Sequence, residues 1–271
     1  MTSSSFSFLT FQKNYDIIYI EKERKRGKDM MRDMTKVKER YTHVLDTMFV
    51  EYGFCEYFDG YGDNPENALD DWKRYGAFED NHDEWWIANG CSRIVLGDGY
   101  NDYVIKFQVP GCEIKYCEAE VKTYEDAVAA GYGDKFAWCA KLMDYVCGEF
   151  IVPIYVYEYA ECSYDEVSDK SYEYHYNAFC EQEGIDPNDE ESRDRWSEED
   201  NCDYNSQEGM IEFAVSLWGL LGNEGRRFRE FLRDHHVNDL HAGNWGYRDD
   251  DLVLTDYSGF GDIDERSCRF C

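Results

Sequence analysis

Residues 237–258 read VNDLHAGNWGYRDDDLVLTDYS and set three oxygen-bearing side chains, Asp239, Asn244 and Asp256, around a glycine and a short apolar strand. Gly243 lets the chain turn back, so Asp239 and Asn244 can face one point. LVLTDYS then delivers Asp256 at the end of an apolar run. Two carboxylates and a carboxamide are hard ligands suited to Mg²⁺, which keeps several waters and shares its coordination with substrate phosphates. With the metal on Asp256 and Asn244, Asp239 is left to accept a proton from an attacking hydroxyl. The competing reading is a polar loop capping a strand hairpin, with Asp and Asn as turn formers. These three residues alone do not separate the two.

Upstream residues bear on the choice, because phosphoryl transfer needs positive charge and backbone donors at the phosphates. Lys106 lies in YVIKF, an apolar strand where an inward lysine requires a carboxylate partner. The segment CEAEVKTYEDA offers Glu118, Glu120 and Glu125. Ahead of that strand, ANGCSRIVL places Gly90 and Ser92 in a turn whose backbone N–H groups could cover phosphates.

In this order the motifs resemble those of the protein kinase-like superfamily. YVIKF resembles the Val-Ala-Ile-Lys strand, which makes Lys106 the phosphate-contacting lysine. DLHAGN resembles the catalytic loop, with Asp239 as base and Asn244 as metal-binding amide. TDYS matches the Asp-Phe-Gly position and makes Asp256 the principal Mg²⁺ ligand. IYVYEYAE resembles the strand and hinge that grip adenine, through backbone atoms of Glu158 and Ala160. Glu120 fits the helix glutamate best and Glu118 is the runner-up. The loop is similar in flavour to those of aminoglycoside and choline phosphotransferases and of small bacteriophage kinase-like proteins. His241 stands where Ser/Thr kinases carry Lys; it is a candidate catalytic residue, though bracing the loop by hydrogen bonding is the favoured reading. The chain departs from the pattern in keeping one clear glycine before the lysine strand, in Val237 at the His of His-Arg-Asp, and in Ser258 after the metal-binding Asp-Tyr. The resemblance spans about residues 85–259 and implies an ATP- and Mg²⁺-dependent phosphotransferase, acting on protein Ser/Thr/Tyr, on itself or on a cationic small molecule.

The expected architecture is α+β: a two-lobed kinase-like fold with a small antiparallel sheet and a truncated, mostly helical second lobe. Residues 1–80 form an N-terminal extension, helical from about 16 to 50 with a break near Gly27 and a further short helix at 66–78. Residues 81–160 form the first lobe and hinge. Trp85–Phe107 alternates short apolar runs with Gly, Asn and Asp, as successive antiparallel strands do. A helix follows from about Lys115 to Ala130, then strands near 138–146 and 151–159. Residues 161–271 form the second lobe. Its segment 161–207, crowded with Asp, Glu, Tyr and Asn, is expected as a surface excursion with at most a short helix, outside the core. Helical periodicity resumes at 210–221 and 225–233. Fifteen residues follow Asp256, too few for an activation segment or later substrate-binding helices, so the acceptor platform is expected from the N-terminal helices or the acidic segment.

Composition narrows the partners. A net charge of −30 over 271 residues repels nucleic-acid phosphates and anionic membranes, so direct nucleic-acid binding is disfavoured. Residues 1–45 carry ten Lys/Arg against six Asp/Glu, leaving −34 on the rest, which would suit basic peptides or cationic metabolites. Eleven irregularly spaced Cys and no signal-like leader point to reduced thiols in a cytoplasmic setting. The close pairs Cys112/Cys117 and Cys268/Cys271 lack the second pair or His expected of a zinc site. No apolar run is long enough to span a membrane. Two other classes stay open beside the enzyme: a pseudokinase that acts by sequestering a partner, and an acidic nucleic-acid mimic.

Overall fold

The computed structural model describes residues 34–46, 85–89, 93–98, 103–108, 115–161, 163–198 and 204–257. Gly90, Ser92, Cys112, Cys268, Cys271, the expected helix at 66–78 and most of the N-terminal extension lie outside them. The described chain is mixed α+β, built on one five-stranded antiparallel sheet of order β1-β2-β3-β5-β4.

Strands β1 (Trp85–Asn89), β2 (Arg93–Asp98) and β3 (Tyr103–Gln108) form a meander, each pairing antiparallel with the next. Their β-branched and aromatic residues pack well on a pleated surface, and Gly, Asn and Asp separate them, as the alternation predicts. β4 (Cys139–Cys147) and β5 (Phe150–Glu158) close a hairpin, and β5 inserts beside β3. Pro153 sits in the part of β5 that pairs with β4 alone, where its missing N–H leaves no second ladder unsatisfied. The helical residues 34–46, α1, are tied to the sheet by two phenols. Tyr41 donates to the Tyr103 carbonyl at 3.0 Å and Tyr145 to Asp46 Oδ1 at 2.7 Å, while Tyr41, Val44 and Leu45 are buried.

α2 (Tyr116–Ala130) crosses from β3 to β4 and buries Tyr116, Cys117, Glu120, Thr123 and Ala127, the stripe that a 3.6-residue period puts on one side. That stripe separates the two candidate glutamates: Glu120 is fully buried and Glu118 is exposed. Gly131, at φ 87°, ends the helix in the left-handed cap that glycine adopts without a Cβ penalty.

The segment 161–207 differs from its expected role as a surface excursion outside the core. It holds α3 (Tyr164–Glu183) and α4 (Glu190–Glu198). Ser163 caps α3 by accepting the Glu166 N–H. Val167 enters the main core, and Tyr176, Cys180 and Trp196 form a second cluster with Tyr172 and Phe179 against it. Counting Asp and Glu hid an amphipathic pattern in which tyrosine and tryptophan supply the buried face and the acids the wet one.

α5 (Gln207–Leu217), α6 (Asn223–Asp234) and a hairpin of β6 (Trp245–Arg248) and β7 (Asp251–Leu254) complete the described chain. Asp249 and Asp250 turn that hairpin with φ of 49° and 69°, the two left-handed residues that a type I′ turn requires. One continuous core joins the sheet face (Val104, Tyr155, Tyr157) to α2, α5, α6 and the hairpin residues Trp245, Leu252 and Leu254. Cys117, Cys139 and Cys180 are free buried thiols, in line with cysteine used as a small apolar residue.

Candidate functional site

Period-two alternation and the strand register put Trp86, Arg93, Val95, Gly97, Val104, Lys106, Tyr155 and Tyr157 on one face of the sheet. α2 and the chain after β7 meet that face. Lys106 is 8 % exposed; its Nζ donates to the Thr255 carbonyl at 3.0 Å and lies 4.2 Å from the centre of the Tyr157 ring. The lysine therefore reaches the residue just before Asp256.

Glu120 has a different close cation from the one expected. Arg93 Nη1 lies 2.7 Å from Glu120 Oε2, an ion contact outside hydrogen-bond alignment, and Arg93 Nη2 lies 2.6 Å from both Oδ1 and Oδ2 of Asp256. Glu120 also accepts the Tyr157 hydroxyl at 2.5 Å and the Tyr257 backbone N–H at 3.1 Å. Burial alone would raise its pKa, but the charges of Arg93 and Lys106 and the Tyr157 hydrogen bond outweigh it and hold the carboxyl well below the usual range. Burial likewise opposes the Arg93 charge, but the Glu120 and Asp256 carboxylates outweigh it and hold the guanidinium pKa well above its ordinary value. The Cys117 thiol beside them is pushed up to about 11, by burial first and by Glu120 second.

The loop side is assembled around Asn244. Its Nδ2 donates to the Asp239 carbonyl, and its own carbonyl accepts the N–H groups of Thr255 at 2.9 Å and Asp256 at 3.4 Å. One asparagine thus binds together the loop, the hairpin and the Asp256 strand end. Asp239 is exposed, sits at φ 69°, and its N–H donates to Gln207 Oε1 at 2.8 Å. An aspartate at positive φ costs backbone energy that the surrounding hydrogen bonds must hold in place. His241 Nδ1 accepts the Gly243 N–H at 3.1 Å, so it braces the turn within the loop. A cavity of about 340 Å³ adjoins the loop, lined by Gln207, Arg229, Arg233, His236 and Asn238 among others.

At the C-terminal end of β5, the Glu158 carboxylate accepts Arg248 Nη1 at 3.2 Å and the Trp138 N–H at 3.2 Å, with both ion-pair side chains about nine-tenths buried. Its backbone N–H is spent on the Trp138 carbonyl at 2.8 Å. The Glu158 N–H is therefore a structural tie between β5 and the residue ahead of β4. Ala160 is buried against Ala137 and Val253, and Glu161 pairs with Tyr247 through two 2.9 Å backbone bonds. Gly246 permits this approach: a Cβ there would lie 3.0 Å from the Thr255 methyl and 3.1 Å from both Ala160 Cβ and the Glu161 carbonyl.

Sequence reading missed Arg93, Tyr157, Tyr257 and Trp86. Arg93 opens an apolar strand, and in a β2–β3 hairpin it stands two residues from Val95, the partner of Lys106. That pairing was the available signal. Tyr257 is fully buried over Phe136, with ring centres 5.0 Å apart, and donates its hydroxyl to the Ala137 carbonyl at 2.8 Å. Trp86 lies across Gly97, where a Cβ would come within 2.6 Å of the indole, and its ring is 6.2 Å from that of Tyr159.

The site thus contains four mutually balancing charges, Arg93, Lys106, Glu120 and Asp256, beside an exposed carboxylate and an amide. No protein family, curated protein or solved structure matches the chain.

Proposed function

We propose that the chain is a kinase-like phosphotransferase using ATP and Mg²⁺, with a protein hydroxyl, its own or a partner's, as the leading acceptor. The observation that carries this reading is the convergence of Lys106, Asp256, Asn244 and Asp239 through Thr255 and the Asn244 backbone, with Glu120 buried behind them. These five polar residues are spread over about half the chain, and the fold links them through the Thr255 carbonyl, the Asn244 backbone and the Arg93 bridge between Glu120 and Asp256. The small antiparallel sheet, the helix between β3 and β4 and the helices leading to the 237–244 loop support reading the α+β chain as a two-lobed kinase-like fold.

The donors fit the implied metal. Asp256 supplies carboxylate oxygens that already attract a cation, and the Asn244 amide oxygen has no hydrogen-bond partner among the described residues. These two would hold Mg²⁺, which when bound neutralises phosphate charge. Lys106 supplies fixed positive charge at the same place. Asp239, exposed and unpaired among the described residues, accepts the proton of the attacking hydroxyl. Trp86 and Tyr159 present aromatic faces at the mouth of the sheet, suited to a planar base. The acidic exterior favours basic acceptor segments.

Purified full-length chain incubated with labelled ATP and Mg²⁺ should transfer phosphate to itself, to basic peptides or to cationic metabolites, and Asp239→Ala should abolish transfer while retaining nucleotide. No transfer to any acceptor would overturn the catalytic reading. The Arg93 grip on both Asp256 oxygens favours a second reading, a pseudokinase that binds a partner without turnover. Thermal stabilisation by MgATP with no transfer would select it.

A further inference from the structure

Four charges at the sheet face sum to zero: Arg93 and Lys106 positive, Glu120 and Asp256 negative. A divalent cation added alone would leave two excess positive charges beside two fixed cations in a largely dry site, which electrostatics opposes. A cation arriving with a polyphosphate brings compensating negative charge. The part of the cluster able to respond is Arg93, because its two ends are held differently. Nη1 faces Glu120, which is completely buried and fixed by Tyr157 and the Tyr257 amide. Nη2 faces Asp256, whose side chain is 34 % exposed at the opening of the site. A guanidinium is a rigid fork that can keep one carboxylate on one nitrogen and exchange the partner of the other.

We propose, resting on the phosphotransferase reading above, that Arg93 is a second phosphate-binding cation of the site. Without nucleotide, Nη2 occupies Asp256 and excludes a divalent cation. When a nucleoside triphosphate and metal bind together, the metal takes Asp256 and Nη2 moves to a phosphate oxygen, while Nη1 stays tethered to Glu120. Lys106, which is engaged with the Thr255 carbonyl and makes no such contact with Asp256, supplies charge without this exchange. No bond is made or broken; only ionic partners change. Metal and nucleotide binding are coupled through Arg93 as a consequence.

The test uses the full chain, Mn²⁺ followed by its paramagnetic resonance, and a non-hydrolysable ATP analogue. In the wild type, Mn²⁺ should bind at least about tenfold more tightly with the analogue present than without it, a coupling of the usual size between linked sites. In Arg93→Lys, whose single nitrogen cannot span both carboxylates, Mn²⁺ alone should bind about tenfold more tightly and the analogue more weakly, erasing most of that coupling. Asp256→Asn should abolish Mn²⁺ binding in both backgrounds. Equal Mn²⁺ affinity with and without the analogue in the wild type overturns the proposal without need of any variant. So does coupling unchanged in folded Arg93→Lys, which leaves the phosphotransferase reading intact. Failure of the wild type to bind the analogue with any metal overturns both.

Discussion

Glu120 and Asp239 are acids of one polar site and could hardly be treated more differently. The sheet side holds Glu120 with no exposure, two cations near it and two hydrogen-bond donors on its oxygens. The loop side leaves the Asp239 carboxylate in water and spends only its backbone on contacts, to Gln207 and Asn244. A carboxylate saturated with partners is architecture, since nothing remains for it to react with. A carboxylate held by its backbone alone is placed while its oxygens stay available, which is what the proposed base role requires. The same composition, acid-rich throughout, thus yields a fixed cluster in one place and an available group in another.

Substitutions should separate the two sides. Glu120→Ala is expected to have the largest effect on folding: it leaves Arg93 as a buried, half-compensated charge and should cost about 3–5 kcal/mol in urea unfolding. A cost under about 1 kcal/mol would mean that the sheet cluster is no more than a solvated surface group. Tyr157→Phe removes one donor to the same carboxylate and should cost about 1.5–3 kcal/mol by the same measurement. Gly246→Ala tests the seam between residues 160–161 and the β6–β7 hairpin; crowding Thr255, Ala160 and Glu161 should cost about 1–3 kcal/mol and disturb Asp256 through its neighbour. Asp239→Asn, which removes the charge but keeps a residue type that tolerates φ 69°, should change stability least, within about 0.5 kcal/mol, and on the proposed phosphotransferase reading should have the largest effect on phosphate transfer.

Acid sharpens the contrast. The folded-state pKa of Glu120 lies below its ordinary value of 4.5, so the carboxylate contributes stability that is complete above that value and is lost as pH falls towards the folded-state pKa. Chemical denaturation of the wild type between pH 6 and 3 should therefore show stability falling on the acid side, and Glu120→Gln should flatten that fall. An identical acid profile in the variant would show that Glu120 does not govern it.

Much of the sheet was readable because its strands are short, β-branched and punctuated by Gly, Asn and Asp, and because amphipathic helices advertise a 3.6-residue period. Lys106 stood out as a lysine inside an apolar strand, Asp256 as a carboxylate at the end of one, and Asn244 through its spacing from Asp239 across a glycine. The helices at 164–183 and 190–198 were hidden because their buried stripe is tyrosine and tryptophan among acids, which averaging over the segment dilutes. Arg93 was hidden because its meaning depends on register, which residues stand beside which across a hairpin.

By itself the sequence determined the α+β class, the elements outside the 161–207 segment, an acidic composition and the presence of base-like and metal-ligand-like side chains, because these follow from local periodicity and side-chain chemistry. Only the tertiary structure decided which charges meet. Local pattern places Glu120, Arg93, Lys106 and Asp256 on separate elements, and it takes the packing of α2 and the Thr255–Tyr257 segment against one sheet face to make them a single neutral cluster. Pairing energies in a dry site depend steeply on distance, and distance between remote residues is a property of the fold.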